Sequence, residues 1–214
     1  MMKYTTVAAS RLPSFLHQVM IGYLLGDGGI FYASRKSATP RFEFSMGKDR
    51  YDFALHLALL FKEYASNPLK VLNVLAVKGG NLQQSFRFKT RSLAVFTYYR
   101  DLFYKQDTST GQYMKVVPQG IIELLTPVVL AYLIMSDGNF DAGRNRVRIY
   151  TNSFTKADVE RLASAIQSKF GIYAGVMSDK PGQYIITIGA KELTKLRALV
   201  LPHMQPSMKY RVGA

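Results

Sequence analysis

One pattern occurs twice in the chain, 110 residues apart: Val19-Met-Ile-Gly-Tyr-Leu-Leu-Gly-Asp-Gly28 and Val129-Leu-Ala-Tyr-Leu-Ile-Met-Ser-Asp-Gly138. Both copies are apolar for about two helical turns and stop at Asp-Gly. Such a duplication restricts the fold strongly, because two similar units must share a core that neither apolar helix can bury alone. The segments after each copy also match. An extended stretch (41–46; 144–151) precedes a helical pattern (51–64; 156–170), and a pair of extended segments follows (71–77 with 83–90; 173–177 with 183–188). A second helical pattern closes each half (92–103; 191–199).

The order α-β-β-α-β-β-α, twice, predicts an α+β fold. Two pseudo-symmetric halves, 1–104 and 126–214, are expected to pack on two central motif helices, each half carrying a twisted antiparallel sheet. Residues 105–125 are expected to link them, and 105–111 has the short, polar composition of a linker. Thr126 before Pro127 reads as a hydroxyl cap with proline at the first helical position, and Thr155 with Asp158 has the spacing of a capping box.

Alternation within the strands separates a charged face from an apolar one. Phe86 and Phe88 point one way while Ser85, Arg87, Lys89 and Arg91 point the other. In the second half Val147 and Ile149 oppose Arg144, Arg146, Arg148 and Tyr150. Read as corresponding strands, the two predict one long positive saddle. A single basic strand face is usually just solvated, but here the chain has 28 Lys and Arg against 14 Asp and Glu, a net charge of +14, and a polyanion is implied.

The ends of the repeated helices carry the chemistry. Gly22 and Gly26 share a helix face and allow another backbone to approach closely. Gly28 and Gly138 follow the last turn, where a positive φ is commonly needed. Asp27 and Asp137 occupy matching places at the negative ends of the helix dipoles, a conflict that a nearby cation would resolve. If the helices pack about a pseudo-twofold axis, the two carboxylates meet beside the saddle. Paired carboxylates share a proton or bind a metal, and hard oxygen donors suit Mg²⁺. That combination beside a phosphate backbone is suited to phosphodiester hydrolysis.

Met20 to Gly28 and Leu130 to Gly138, with the Leu125-Thr-Pro-Val-Val-Leu-Ala-Tyr lead-in, resemble the two motifs of a LAGLIDADG homing endonuclease of the single-chain, mitochondrial group I intron type. The resemblance runs from about Phe15 to Val212. It implies site-specific cleavage of a long, nearly asymmetric DNA duplex, with the sheets in the major groove and Mg²⁺ (Mn²⁺ substituting) at Asp27 and Asp137 beside Gly26 and Ser136. It also implies a basic residue near the metal in each half: Lys115, within Met114-Lys-Val-Val-Pro118, and Arg211, with Lys209 as a competitor. Tyr132 stands where the first copy has Gly22, so the helix crossing is expected to be asymmetric there; Ser136 replaces Gly26 without harm. Candidate DNA contacts are Arg41, Gln83, Ser85, Arg87, Lys89, Arg91, Arg144, Arg146, Arg148 and Asn152.

Other chemistries are poorly served. The absence of cysteine excludes disulfides, thiolate metal sites and cysteine nucleophiles, and His17, His56 and His203 lack ligand spacing. No stretch approaches the ~18 apolar residues of a membrane span, so no membrane partner is expected. The Gly171-Ile-Tyr173 and Tyr184-Ile-Ile186 pair departs from a GIY-YIG nuclease, and Asp137 to Arg148 lacks the glycine and final acid of a calcium loop. Within the resembled family the alternative is a maturase that binds intron RNA to assist splicing, and a bifunctional protein stays open. Two motifs in one chain imply a monomer; the family implies a mitochondrial, organelle-encoded protein, which needs no import signal.

Overall fold

The computed structural model describes residues 11–75 and 82–214. The first motif helix, α1 (Ser14–Leu24), runs into β1 (Gly29–Tyr32) and β2 (Pro40–Gly47), followed by α2 (Tyr51–Leu60), β3 (Lys70–Leu75), β4 (Leu82–Lys89) and α3 (Val95–Phe103). The second motif helix, α5 (Pro127–Asp137), leads in the same order to β7 (Gly138–Asp141), β8 (Arg146–Tyr150), α6 (Lys156–Phe170), β9 (Gly175–Lys180), β10 (Gln183–Ile188) and α7 (Leu193–Val200). Two antiparallel sheets result, β1-β2-β4-β3 and β7-β8-β10-β9, with identical strand order. The α+β, twofold-repeated architecture expected from the duplication is therefore present.

Each sheet buries one face. Phe42, Phe44, Met46, Phe86 and Phe88 lie beneath Phe53 and Leu57 of α2 and Phe96 and Tyr99 of α3, an aromatic core in which Phe44 stacks on Phe88. The second core is aliphatic, with Val147, Ile149, Ile186 and Ile188 against Val159, Leu162 and Ile166 of α6. Between them α5 is buried all round from Val128 to Ser136, as expected of a helix with no polar stripe. Its partner is α1, buried from Val19 to Leu24. Thr126 caps α5 by accepting the Val129 N–H at 3.2 Å. Thr155 likewise caps α6, but Asp158 does not return the bond of a capping box: its carboxylate pairs with Arg161 at 2.5 Å.

Several expectations need correction. The strand opening each half, β1 or β7, starts directly at the residue after Asp-Gly or at its glycine, where no strand range had been assigned. The two basic strands are not counterparts. β4 occupies the third place in its sheet and corresponds to β10, whereas β8 corresponds to β2; the two share an alternation of apolar and basic residues but stand at different distances from their motif helices. Arg144 lies off the sheet, in a one-turn 3-10 helix (Ala142–Arg144) closed by the left-handed Asn145, and β8 starts at Arg146. Arg91 lies beyond β4 and donates to the Glu63 carbonyl at 2.8 Å. Positions 76–77 of the expected stretch 71–77, and the Gln83 side chain, lie outside the described residues.

The span 105–125 is also more than a polar tether. β5 (Tyr104–Gln106) and β6 (Tyr113–Lys115) form a hairpin, and α4 (Ile121–Leu124) packs on α6. Asp107 organises the hairpin turn by accepting the N–H groups of Ser109 and Thr110.

Candidate active site

The helix pair can cross closely because of two glycines in α1 and the turn after it. A Cβ on Gly22 would lie 2.4 Å from the Val129 carbonyl oxygen and 2.8 Å from Cβ of Tyr132, and one on Gly26 would lie 2.0 Å from a carboxylate oxygen of Asp137. Gly22 thus makes room for the residue that replaces it in the second copy. The Tyr132 ring is buried, stacks on His56 and accepts or donates a hydroxyl hydrogen bond to His56 Nε2 at 2.8 Å. His17 is similarly satisfied by the Tyr99 hydroxyl, and among the described residues neither histidine lies in a metal cluster. Gly28 and Gly138 serve a different purpose from the one expected. Neither has positive φ. A side chain on them would strike the carbonyl oxygens of Tyr23 at 2.9 Å and Ile134 at 2.5 Å, so close approach is what excludes larger residues.

The crossing brings the motif aspartates together. Ser136 links them: its Oγ accepts the Asp27 N–H at 2.8 Å and donates to Asp137 Oδ2 at 2.8 Å. It is therefore a structural bridge rather than a tolerated replacement of glycine. Asp27 lies in the exposed turn after α1, and Asp137 is the half-buried last residue of α5. Burial and the neighbouring Asp27 push the Asp137 carboxyl up to about 6, against the opposing pull of Ser136, Lys115 and Arg50.

Three cations surround this pair. Lys115, delivered by the end of β6, donates to the carbonyls of Gly26 at 2.5 Å and Gly28 at 2.8 Å. Burial brings its ammonium down to about 8, although Asp137 and Asp27 both favour the charged form. Arg211, in the 3-10 segment Pro206–Val212, donates to the carbonyl of Gly138. Lys115 and Arg211 thus bind the equivalent glycine carbonyls of the two halves. The Lys209 side chain makes no hydrogen bond or ion pair among the described residues, which favours Arg211 as the equivalent of Lys115.

The third cation, Arg50, was not found from sequence. Its Nη1 lies 2.9 Å from Asp27 Oδ2 and 3.3 Å from the Ser136 carbonyl oxygen. It sits in the 3-10 turn Lys48–Arg50 between β2 and α2, where Thr155 precedes the matching helix in the second half. A search for duplicated residues could not detect it. Together Arg50 and Lys115 provide the positive charge that a carboxylate at a helix C-terminus needs.

The donor set fits a hard divalent cation. Asp27 and Asp137 contribute carboxylates, and the Gly26 and Ser136 carbonyls stand next to them, all oxygen donors of the type Mg²⁺ prefers. Among the described residues no three His, Cys, Asp or Glu side chains form a metal cluster. An ion here would accordingly need carbonyl, water or substrate oxygens to complete its shell.

The sheet residues fall into two groups. On the outer face of the first sheet Arg41, Arg87 and Lys89 converge on Glu43, and Ser85 lies on the same face. On the second, Arg146 and Arg148 flank Asp141. Asn152 is apart from both groups, donating to Asp179 and Gln183 at 2.9 Å. Both carboxylates at the centres of the basic groups were overlooked, although alternation in 41–46 puts Glu43 on the Arg41 face.

A profile of the LAGLIDADG DNA endonuclease family matches residues 17–196. The cytochrome b mRNA maturase bI2 of Saccharomyces cerevisiae is 27% identical over 201 residues, covering 91% of this chain and 46% of the maturase, so the chain spans about half the length of that relative. Among solved structures, the homing endonuclease I-WcaI bound to its DNA recognition sequence superposes with a TM-score of 0.83 at 24% identity, over 94% of this chain and 87% of that one. I-DmoI in complex with DNA and Mn gives a TM-score of 0.53 at 16% identity, over 86% and 94% of the two chains.

Proposed function

The chain belongs to the LAGLIDADG DNA endonuclease family, and from that premise we propose that it is a site-specific homing endonuclease making a double-strand break in a long, asymmetric DNA target. The observation that carries this reading is the pair Asp27 and Asp137, joined through Ser136 and ringed by Arg50, Lys115 and Arg211. A pure scaffold gains nothing from a carboxylate held at a raised pKa beside another.

Asp27 and Asp137, with the Gly26 and Ser136 carbonyls, would hold Mg²⁺, with Mn²⁺ as a substitute; the manganese complex of I-DmoI supports a divalent ion in this fold. When bound, such an ion supplies activated water and neutralises charge on the leaving oxygen. The protein's own groups divide the remaining work. Lys115 is fixed by the Gly26 and Gly28 carbonyls, so its charge is positioned before substrate arrives; it must release the Gly26 carbonyl for that oxygen to serve as a ligand, which leaves it anchored on Gly28 with protons free for a phosphate oxygen. Arg211 holds a second charge in the other half, fixed by the Gly138 carbonyl alone. Arg50 neutralises Asp27 while the site is empty of phosphate and must release the Ser136 carbonyl for that oxygen to serve as a ligand.

The outer faces of the sheets supply the duplex contacts, through Arg41, Ser85, Arg87 and Lys89 in one half and Arg146 and Arg148 in the other, with Asn152 in the turn after β8; Arg91 and Arg144 would extend that surface only at its margins. Two motifs in one chain make a monomer sufficient. Among the described residues no helix is long and apolar enough to cross a membrane. A relative named for cytochrome b mRNA supports a mitochondrial, intron-encoded origin.

The same relative supports a second reading, a maturase acting on intron RNA. Incubation with Mg²⁺ and a randomised duplex library, followed by sequencing of the cut ends, separates the two. The nuclease reading predicts one recurrent cleavage pattern. No cleavage of any duplex, together with tight binding to a structured group I intron RNA, would establish the maturase instead.

A further inference from the structure

A carboxylate sits among the cations of each sheet's outer face, buried in the first and partly exposed in the second. Glu43 is 8% exposed, yet it lies on a strand face otherwise occupied by Arg41 and Ser45. Its Oε1 is 2.5 Å from Arg41 Nε, and its Oε2 is 3.1 Å from Arg87 Nη2 and 3.5 Å from Lys89 Nζ. These three cations and Lys70 line one hollow of about 520 Å³. The second sheet repeats the device on a different strand: Asp141 Oδ2 lies 3.1 Å from Arg146 Nε and 3.8 Å from Arg148 Nε.

A surface built only to attract phosphate has no use for these acids, since each subtracts from the positive potential. Their effect is on orientation. A guanidinium tied at one edge can no longer rotate freely, and its other edge is presented as a fixed fork. Arg41 is held through Nε, which leaves its Nη1/Nη2 edge unbonded among the described residues; Arg87 is held through one Nη2 hydrogen and makes no other hydrogen bond among the described residues. Arg146 is held through Nε and rests Nη1 on the Met177 sulfur at 3.4 Å. Arg148 is not tied in this way: its buried Nε lies 3.8 Å from Asp141 Oδ2 and makes no hydrogen bond among the described residues. A fixed guanidinium fork matches the O6 and N7 acceptors of guanine in the major groove, and holding it beforehand removes the ordering cost of binding.

Resting on the nuclease reading above, we propose that Glu43 and Asp141 are specificity-determining positioning residues: Glu43 converts Arg41 and Arg87, and Asp141 converts Arg146, from general phosphate binders into fixed guanine readers, one carboxylate per half of the target.

The test is selection of bound duplexes from a randomised library in EDTA, with wild type, Glu43→Gln, Glu43→Asp and Asp141→Asn compared, and with thermal unfolding measured for each. Wild type should enrich guanine at fixed positions in both halves of the site. Glu43→Gln should lose that preference by about tenfold per position in one half only, while binding an unselected duplex more tightly because one negative charge is gone. Glu43→Asp keeps the charge but not the reach, so it should relax the same positions without the gain in unselected binding. Asp141→Asn should relax positions confined to the other half. Should Glu43→Gln not fold, the aspartate variant and Asp141→Asn decide the matter. Unchanged enrichment in the folded variants, or an equal loss across both halves, overturns the proposal while leaving the nuclease reading intact. A wild type that enriches no sequence overturns both.

Discussion

Asp137 carries an electrostatic load in the absence of metal, because it is buried next to a second carboxylate and its carboxyl is raised to about 6. A folded-state pKa above the unfolded value means that this group favours the folded protein below the unfolded pKa of about 3.9 and that the benefit is lost as pH rises through about 6. Asp137→Asn should therefore raise the melting temperature in EDTA at pH 8, on the order of 5 °C for a chain of this size. The gain should vanish below about pH 4. A melting temperature that the substitution lowers at pH 8 would mean that the ionised carboxylate stabilises the fold. Asp27 and Asp137 were legible in the sequence because they recur in register. Arg50 was not, because its contact joins two elements and has no counterpart at the equivalent place in the other half; for Glu43 alternation shows the shared face with Arg41 but not the cross-strand convergence of Arg87 and Lys89.

Helix packing determines whether those residues meet at all. The α1–α5 crossing leaves no volume at Gly22, where an added methyl group would lie 2.4 Å from the Val129 carbonyl oxygen, a backbone atom that cannot rotate away. Gly22→Ala should destabilise the protein by about 1–3 kcal/mol, as measured by urea unfolding. A neutral result would mean that the helices slide apart without penalty. The close approach itself was readable from the Gly22 and Gly26 spacing, and the asymmetry at that level from Tyr132. The caps at Thr126 and Thr155 were also sound, although the box expected of Thr155 with Asp158 is not closed. What failed was register. β4 and β8 look alike because both alternate apolar and basic residues, but strand order is fixed by the connections to the motif helices, and those assign β8 to the place of β2. The hairpin of β5 and β6 was hidden by its polar turn, although it is this hairpin that brings Lys115 to the Gly26 and Gly28 carbonyls.

At the scale of the molecule, a net charge of +14 is distributed partly over two strand faces whose cations gather around a central acid. Duplex binding should fall with a log-log salt slope of roughly −0.9 per phosphate neutralised, and a flat dependence would remove the sheets as the contact surface. The account as a whole depends on two carboxylates from two halves serving one cleavage site. A supercoiled plasmid carrying a selected target measures this directly, with wild type, Asp27→Asn and Asp137→Asn each incubated in Mg²⁺ and in EDTA and binding followed in parallel. The account predicts linear product only for wild type in Mg²⁺, with all three proteins retaining binding in EDTA. Linearisation by either variant at the wild-type rate, or by wild type in EDTA, would contradict it.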